Sequence, residues 1–283
     1  MKPRIARAGT GLAAPFFAAL LLPLALGCGS TGVGNPDVPE TGTLSLAIVS
    51  DDDLDDAAAP PETLSGGAAA EAVGPAAAAP VEPLPRAALQ RAVLVLGSVR
   101  WIPCDGAAEV VTQSGPFLVD LLGGETRPAL PPFQVPEGGV CGFEAPLAPA
   151  RDSAEFLGRS LLFSGERADG VRFVLFANMR ATLRVRAARG QAWGVAGDQA
   201  LLWAMRPRRW AAAQELADET PSESAGQRTL VIDVDRHPLL FALIRARLAS
   251  QSGMFLDRDG NGILDAADRS AGEVGTGTTD PEE

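Results

Sequence analysis

The sequence predicts a mainly β fold, an antiparallel β-sandwich with one or two short helices. Short segments in which apolar and polar residues alternate recur along the chain, and turns rich in Gly and Pro separate them. Alternation with a period of two is typical of strands that bury one face. Many short strands at this spacing favour two packed antiparallel layers.

The clearest predicted strand is 179–187, where the odd-numbered residues are apolar and the even-numbered ones are three arginines and a threonine. The turn at 165–170 joins two further strands as a hairpin. The β-sandwich spans 42–236, either as one unit or as two halves at 42–150 and 155–236. Strands are predicted at 43–49, 92–102, 115–122, 140–147, 160–164, 171–177, 179–187, 201–205 and 230–234.

Two helices are expected. The first, at 207–216, is predicted from its alanine content. The second begins at His237 and runs to about residue 250, with Pro238 at the first helical position, which suits proline. Apolar residues recur through it at helical spacing, and Asp235 is expected to cap it. These apolar residues are Leu240, Leu243, Ile244 and Leu248.

Cys28 follows a segment with the features of a bacterial export signal. Residues 1–27 begin with three basic residues, continue as an apolar run from 12 to 26 and end in Gly27. This order defines such signals. A cysteine directly after the cleavage point resembles lipoprotein signals, in which the thiol carries diacylglycerol. The resemblance implies a membrane anchor at Cys28 in the cell envelope, and Gly29 rather than Asp favours the outer membrane. The alternative is a plain secretion signal with an incidental cysteine.

Composition predicts three segments without fixed structure: a tether at 28–41, an insertion at 51–86 within the fold, and an acidic tail at 270–283. The insertion begins with an acidic cluster at 51–56, which we interpret as solvated charge. Removal of the three basic residues in 1–27 lowers the formal net charge from −11 to −14. This acidity argues against a nucleic-acid partner, because binding to phosphates needs clustered Lys and Arg.

The two remaining cysteines are predicted to form a disulfide. Cys104 follows one predicted strand and Cys141 begins another, and an even pair suits an oxidising compartment. The bond would place the strand that contains Trp101 beside the strand that contains Phe143. The alternative is two buried free thiols.

Four short motifs carry a family resemblance. They are Gly-Thr-Leu-Ser-Leu at 42–46, Ala-Val-Leu-Val-Leu at 92–96, Val-Asp-Leu-Leu at 119–122 and Pro-Glu-Gly at 136–138. Together they resemble the opening of a bacterial envelope lipoprotein family, known as a domain of unknown function with an immunoglobulin- or transthyretin-like sandwich. The resemblance covers about 42–150 and implies a fold and an envelope location, but no reaction. The long insertion after Val49 departs from the family pattern.

The loop at 257–268 resembles the calcium loop of EF-hands, and more closely its bacterial dockerin-type version. Calcium prefers six to eight oxygen ligands, which such a loop supplies from alternate positions around a glycine turn. Gly262 occupies the turn at position 6, Leu264 would anchor the loop to the core, and the helix ending near 250 would lead into it. The expected ligands are Asp257, Asp259, Asn261, the carbonyl of Ile263, Asp265 and Asp268.

Two positions depart from the calcium-loop pattern. Asp268 is one methylene shorter than the usual Glu, and Arg269 stands where an apolar residue normally begins the exit helix. There is a single loop, whereas calcium sensors work in pairs, so the ion would be structural. The alternative is an acidic Asp/Gly turn without an ion.

Two other groups of residues suggest chemistry. His237, the only histidine, can be interpreted as a general base oriented by Asp233 or Asp235 in a hydrolase, but no nucleophile motif surrounds a serine. The alternating arginines on 179–187, with Trp193 and Trp203 near them in sequence, can be interpreted as a glycan platform or as the solvated face of a strand.

The sequence thus favours a non-catalytic envelope lipoprotein with a structural calcium site. The first alternative is a cell-surface module that binds a protein or glycan, and the second is a secreted hydrolase. The membrane is the expected partner, through the anchor at Cys28.

Overall fold

The computed structural model describes residues 42–51, 83–106, 109–151, 156–189, 191–195, 197–224 and 226–281. The predicted signal at 1–27, the tether at 28–41 with Cys28, and most of the predicted insertion lie outside these residues. The described residues all belong to one compact unit. Strands from the two predicted halves pair directly with one another, so the halves are not separate domains.

The fold is mainly β, as predicted. The described residues contain fourteen strands: β1 (Thr43–Ser50), β2 (Leu89–Pro103), β3 (Thr112–Asp120), β4 (Glu125–Arg127), β5 (Phe133–Gln134), β6 (Val140–Pro146), β7 (Leu161–Glu166), β8 (Arg172–Ala177), β9 (Ala181–Ala187), β10 (Gln199–Met205), β11 (Ser222–Ser224), β12 (Gln227–Ile232), β13 (Ser252–Asp257) and β14 (Gly275–Pro281). The helices are α1 (Ala213–Ala217), α2 (Pro238–Ser250) and α3 (Ala266–Ser270), with 3₁₀ turns at Arg86–Ala88 and Pro207–Arg209.

All the strands belong to one large, mostly antiparallel sheet. The order is β11-β12-β8-β7-β2-β6-β9-β14-β13-β10-β1-β5, and β3 pairs with β2 and carries β4. Two neighbouring pairs are parallel, β1 with β10 and β12 with β8. Phe143 on β6 meets Trp203 on β10 edge to face at 5.0 Å, although three strands separate β6 from β10. The sheet therefore curls, so that strands which are not neighbours face each other across the core, as in a sandwich.

Strand β2 links the part of the sheet that contains β7 to the part that contains β6, because it changes partners along its 15 residues. Its first half pairs with β7, its last residues pair with β6, and β3 lies along its other edge. The register with β3 shifts between Leu96 and Ser98. Gly97 lies at this shift, where an added Cβ would be only 2.9 Å from the Cβ of Ala148. An irregularity of this kind bends a strand and increases its local twist.

The structure differs from the prediction at the C-terminus. Residues 270–283 were expected to be a disordered tail, yet β14 lies between β9 and β13. The two glycines of this strand are required by close packing. A Cβ on Gly277 would be 2.3 Å from the carbonyl oxygen of Ala249, and one on Gly275 would be 2.7 Å from that of Arg186. Glycine content that suggests flexibility thus marks close approach of the backbone.

Other predicted boundaries also change. The predicted helix at 207–216 is divided into the 3₁₀ turn at Pro207–Arg209 and the short α1. Helix α2 begins at Pro238, as expected, but Asp235 does not cap it. His237 is the N-cap residue and makes no side-chain cap bond, while Asp233 accepts hydrogen bonds from the N–H groups of Asp235 and Arg236.

Candidate functional site

The predicted calcium loop connects β13 to α3. Asp257 is the last residue of β13, and α3 begins at Ala266. The prediction that the preceding helix leads into the loop is wrong, because α2 ends at Ser250 and β13 intervenes. β13 pairs with β10 along its whole length, and Asp257 pairs with Ala200, so the start of the loop is fixed to the sheet.

The first half of the loop folds around the Asp257 carboxylate. One oxygen accepts a hydrogen bond from the N–H of Gly260 at 2.8 Å, and the other accepts one from the N–H of Gly262 at 2.9 Å. Both glycines have positive φ angles, 70° and 74°, which favour glycine over other residues. Asn261 Oδ1 accepts from the N–H of Ile263 at 2.6 Å, and Asp259 accepts from Asn261. Short-range bonds therefore set the turn expected from the sequence.

The second half of the loop is a capping box on α3. Asp265 is the N-cap residue and accepts from the N–H groups of Ala267 and Asp268 at 2.7 and 3.0 Å. Asp268 returns a bond, since its Oδ2 accepts from the N–H of Asp265 at 3.2 Å. Its Oδ1 accepts from the N–H of Arg258 at 3.0 Å, across the loop. Such reciprocal bonds satisfy N–H groups at the start of a helix.

Leu264 anchors the loop, as predicted. It is buried in a small cluster with Leu202 and Ala204 of β10 and with Phe255 of β13. The neighbouring Ile263 points outward and is 64% exposed. Burial of one residue and exposure of its neighbour fix the orientation of the chain at the midpoint of the loop.

The electrostatics of the loop are unusual because its carboxylates, among the described residues, are hydrogen-bonded to N–H groups but not paired with a cationic side chain. Among the described residues, none of its four carboxylates forms an ion pair, and Asp268 is only 1% exposed. Buried charges are normally paired or coordinate metals. In the same described part of the chain, no group of three or more His, Cys, Asp or Glu is gathered as a metal cluster. The carboxylates are instead turned toward the loop's own N–H groups. Each retains acceptor capacity, since an ionised carboxylate has about four acceptor sites.

Next to the loop lies a buried ion-pair network, centred on Asp51, that the sequence did not reveal. Asp51 is 0% exposed, and its two oxygens contact different arginines. Oδ2 accepts from Nε of Arg206 at 2.9 Å, and Oδ1 accepts from Nη2 of Arg269 at 3.1 Å. Arg206 also binds Glu273 at 3.0 Å. Asp51 was expected to belong to a solvated acidic cluster, whereas the structure buries it. The rest of that cluster lies outside the described residues.

The network also affects the pKa of Arg206. Burial acts to lower this pKa, but the hydrogen bonds and negative charges of Asp51 and Glu273 outweigh burial and raise it above its ordinary value. The guanidinium is therefore held in its charged form. The ion pair with Asp51 also accounts for Arg269, the residue that departs from the calcium-loop pattern.

The predicted disulfide is confirmed. Cys104 and Cys141 are bonded, with their Cα atoms 4.8 Å apart. The N–H of Cys104 also donates to the carbonyl of Gly139 at 3.1 Å. As expected, Trp101 of β2 pairs with Phe143 of β6. The bond thus joins the end of β2 to the start of β6.

His237 is placed differently from the hydrolase interpretation. Its Nδ1 lies 2.7 Å from Oε2 of Glu219, and its side chain is 11% exposed. Neither Asp233 nor Asp235 orients the ring, since Asp233 accepts bonds from backbone N–H groups. The histidine instead connects the start of α2 to the segment after α1.

The glycan platform is not formed as the sequence suggested. Trp193 and Trp203 are buried in the core, 2% and 0% exposed, so they offer no stacking surface. Arg184 contacts Glu144 at 2.9 Å, and Arg100 pairs with the same carboxylate. Alternation on β9 therefore gives a half-solvated outer face that is partly neutralised by its neighbours.

Comparisons with protein families, with curated proteins and with solved structures found no match to this chain. The resemblance to a lipoprotein family therefore stays a prediction from the quoted motifs. Within the described part of the chain, no helix combines the length and the apolar character needed to cross a bilayer.

Proposed function

We propose that this chain is a non-catalytic, lipid-anchored protein of the bacterial cell envelope, in which a β-sandwich-like fold carries one structural calcium ion at 257–268. The ligands would be the carboxylates of Asp257, Asp259, Asp265 and Asp268, the side-chain oxygen of Asn261 and the carbonyl of Ile263. An ion held there would offset the repulsion among the four carboxylates of the loop and would fix β13 to α3.

One observation carries the proposal: Asp268 is a carboxylate 1% exposed that contacts backbone N–H groups and, among the described residues, no cationic side chain. Three more carboxylates lie within the same twelve residues. At short range these negative charges repel one another, and a cation bound between them would attract each carboxylate and offset the repulsion. Calcium fits because every donor in the set is an oxygen and because it tolerates flexible geometry.

The disulfide supports the envelope location. Disulfides persist in exported proteins and are rare in the reducing cytosol. The predicted export signal at 1–27 and the cysteine at position 28 favour the same location. Among the described residues, the ring of His237 is hydrogen-bonded to Glu219 rather than to a serine hydroxyl, so the hydrolase alternative gains no support.

The calcium site is tested on the chain from residue 28 onward, with Cys28→Ser to prevent acylation. A single loop with a short residue at position 12 should have the affinity of extracellular modules, about 10⁻⁴–10⁻³ M. At a hundredfold excess over Kd, calcium should stabilise the fold by roughly 2.7 kcal/mol. For a domain of this size that is a rise in Tm of about 5–10 °C.

Differential scanning calorimetry with and without calcium, after treatment with a chelator, measures the shift. The double variant Asp257→Ala/Asp268→Ala should abolish the response. Asp235→Asn, an exposed aspartate outside the loop, is the matched control and should respond as the parent does. A parent Tm that does not change at a hundredfold excess of calcium over the expected Kd, about 10–100 mM, would exclude the site. An equal rise in the double variant would place the ion elsewhere.

A further inference from the structure

We infer that Arg269 is a positioning residue for the calcium loop, which acts through its ion pair with buried Asp51. The pair would hold α3 so that Asp265 and Asp268 face the ion, and it would couple calcium binding to the end of β1. This inference rests on the proposed calcium site and adds a second element to it, more than 200 residues away in sequence.

Asp51 is a fixed anchor point. It directly follows β1, is 0% exposed, and donates its N–H to the carbonyl of Met205 at 2.7 Å. Its side chain holds Arg206 through one oxygen and Arg269 through the other. Arg206 follows β10, to which β1 is paired in parallel through seven residue pairs. The carboxylate therefore belongs to the rigid sheet rather than to the loop.

Helix α3, in contrast, needs external support. It has five residues, far fewer than a helix needs to be stable in isolation. Its N-terminus is held by the capping box of Asp265 and Asp268, and its last turn is held by Arg269. Since Arg269 is adjacent to Asp268 in this short helix, the bond to Asp51 limits how far the Asp268 carboxylate can turn.

A second connection brackets α3 from the other side. Arg206 binds Glu273, which comes three residues after the end of the helix. Arg269, in the last turn of α3, is bound directly to Asp51, and Glu273, beyond the helix, is linked to Asp51 through Arg206. The chain is therefore held on both sides of the end of the helix. Removal of one partner from a buried ion pair is strongly destabilising, because it leaves charge without compensation.

Linkage makes the inference reciprocal. If docking of Arg269 on Asp51 favours calcium binding by some factor, calcium must favour docking by the same factor. Calcium should therefore slow exchange of the Asp51 amide hydrogen, which is bonded to Met205, although Asp51 is not a ligand.

The decisive comparison uses two variants that each remove one positive charge, Arg258 within the loop or Arg269 directly after it. An arginine repels a bound calcium ion, so by charge alone both Arg258→Gln and Arg269→Gln should bind calcium as tightly as the parent or more tightly. Arg258 is exposed, and no side-chain contact with Asp51 is made there. If Arg269 positions the loop, Arg269→Gln should instead weaken calcium binding by at least about fivefold. Isothermal titration calorimetry measures both affinities, on the chain from residue 28 with Cys28→Ser.

Hydrogen exchange provides the readout that a general loss of stability would not give. In the parent, calcium should slow exchange at Asp51. In Arg269→Gln this effect should disappear, while β12, which six strands separate from β13 in the strand order, exchanges as before. Arg269→Lys keeps the charge but loses the second donor group, and should recover part of the affinity; it also replaces Arg269→Gln if that variant does not fold. Equal affinity of Arg269→Gln and Arg258→Gln would overturn the inference and leave the calcium site intact. Absence of calcium binding in the parent would instead refute the site itself, and the inference with it.

Discussion

Removal of the disulfide should cost about 4 kcal/mol of unfolding free energy, nearly all of it through the unfolded chain. In the double variant Cys104→Ala/Cys141→Ala, little packing is lost, because Cys104 is exposed and Cys141 is only half-buried. The strand pairing beside the bond also persists, since Trp101 and Phe143 pair through the backbone. The native state therefore changes little, whereas the unfolded state gains freedom.

The magnitude follows from the length of the closed loop. The two cysteines are 37 residues apart. A cross-link of this span removes about 13 cal/mol/K of entropy from the unfolded chain, which is about 4 kcal/mol at room temperature. Domains typically have 5–15 kcal/mol of stability in total, so the loss is a large share. The corresponding fall in Tm is about 8–16 °C for a domain of this size.

Urea denaturation of the oxidised parent, the reduced parent and the double variant measures this cost. The reduced parent is the matched control, because it keeps both side chains and loses only the bond. It should be destabilised as much as the variant. A loss below about 1 kcal/mol in both proteins would refute the loop-entropy reasoning. A loss in the variant alone would show that the cysteine side chains contribute by packing.

Two further predictions concern other parts of the chain. Mass spectrometry of the native N-terminal peptide should find Cys28 as the acylated first residue, and an unmodified thiol or cleavage at another position would contradict the lipid anchor. Burial acts to raise the pKa of Glu215, but the hydrogen bonds from Arg247 and from the N–H of Ala212, with the charge of Arg247, lower it overall. A lowered pKa in the folded state adds stability above the unfolded pKa that is lost as the pH falls through the folded one. Unfolding free energy should thus decline in acid from about pH 5 downwards, and Glu215→Gln should show a shallower decline; parallel pH profiles of parent and variant would exclude this contribution.

Alternation of apolar and polar residues predicted the strands that bury only one face. β9 is the best example, since Ala181, Leu183 and Val185 are buried as expected. The disulfide could also be predicted, because two cysteines remain after Cys28 in a chain with the features of an exported protein. The bond in turn implied that the strands beside the two cysteines are neighbours. The anchor Leu264 followed from the loop motif. These features depend on local pattern, which the sequence carries directly.

Features that depend on distant partners could not be predicted. Asp51 looks like the other aspartates after it, and its two arginines lie 155 and 218 residues away along the chain. β14 was missed because its residues are polar and small, so that the segment was interpreted as an acidic tail without fixed structure. Trp193 and Trp203 were placed beside the arginines by sequence proximity, although the structure buries both in the core. The parallel pairing of β1 with β10 has no local signal either.

The position of β14 has a consequence for how the chain is made. This last of the described strands lies between β9 and β13, in the interior of the strand order rather than at an edge. Until residues 275–281 have left the ribosome, β9 and β13 each present an open row of backbone donors and acceptors. The part of the sheet from β9 through β14 to β13 therefore closes only after residues 275–281 have been made.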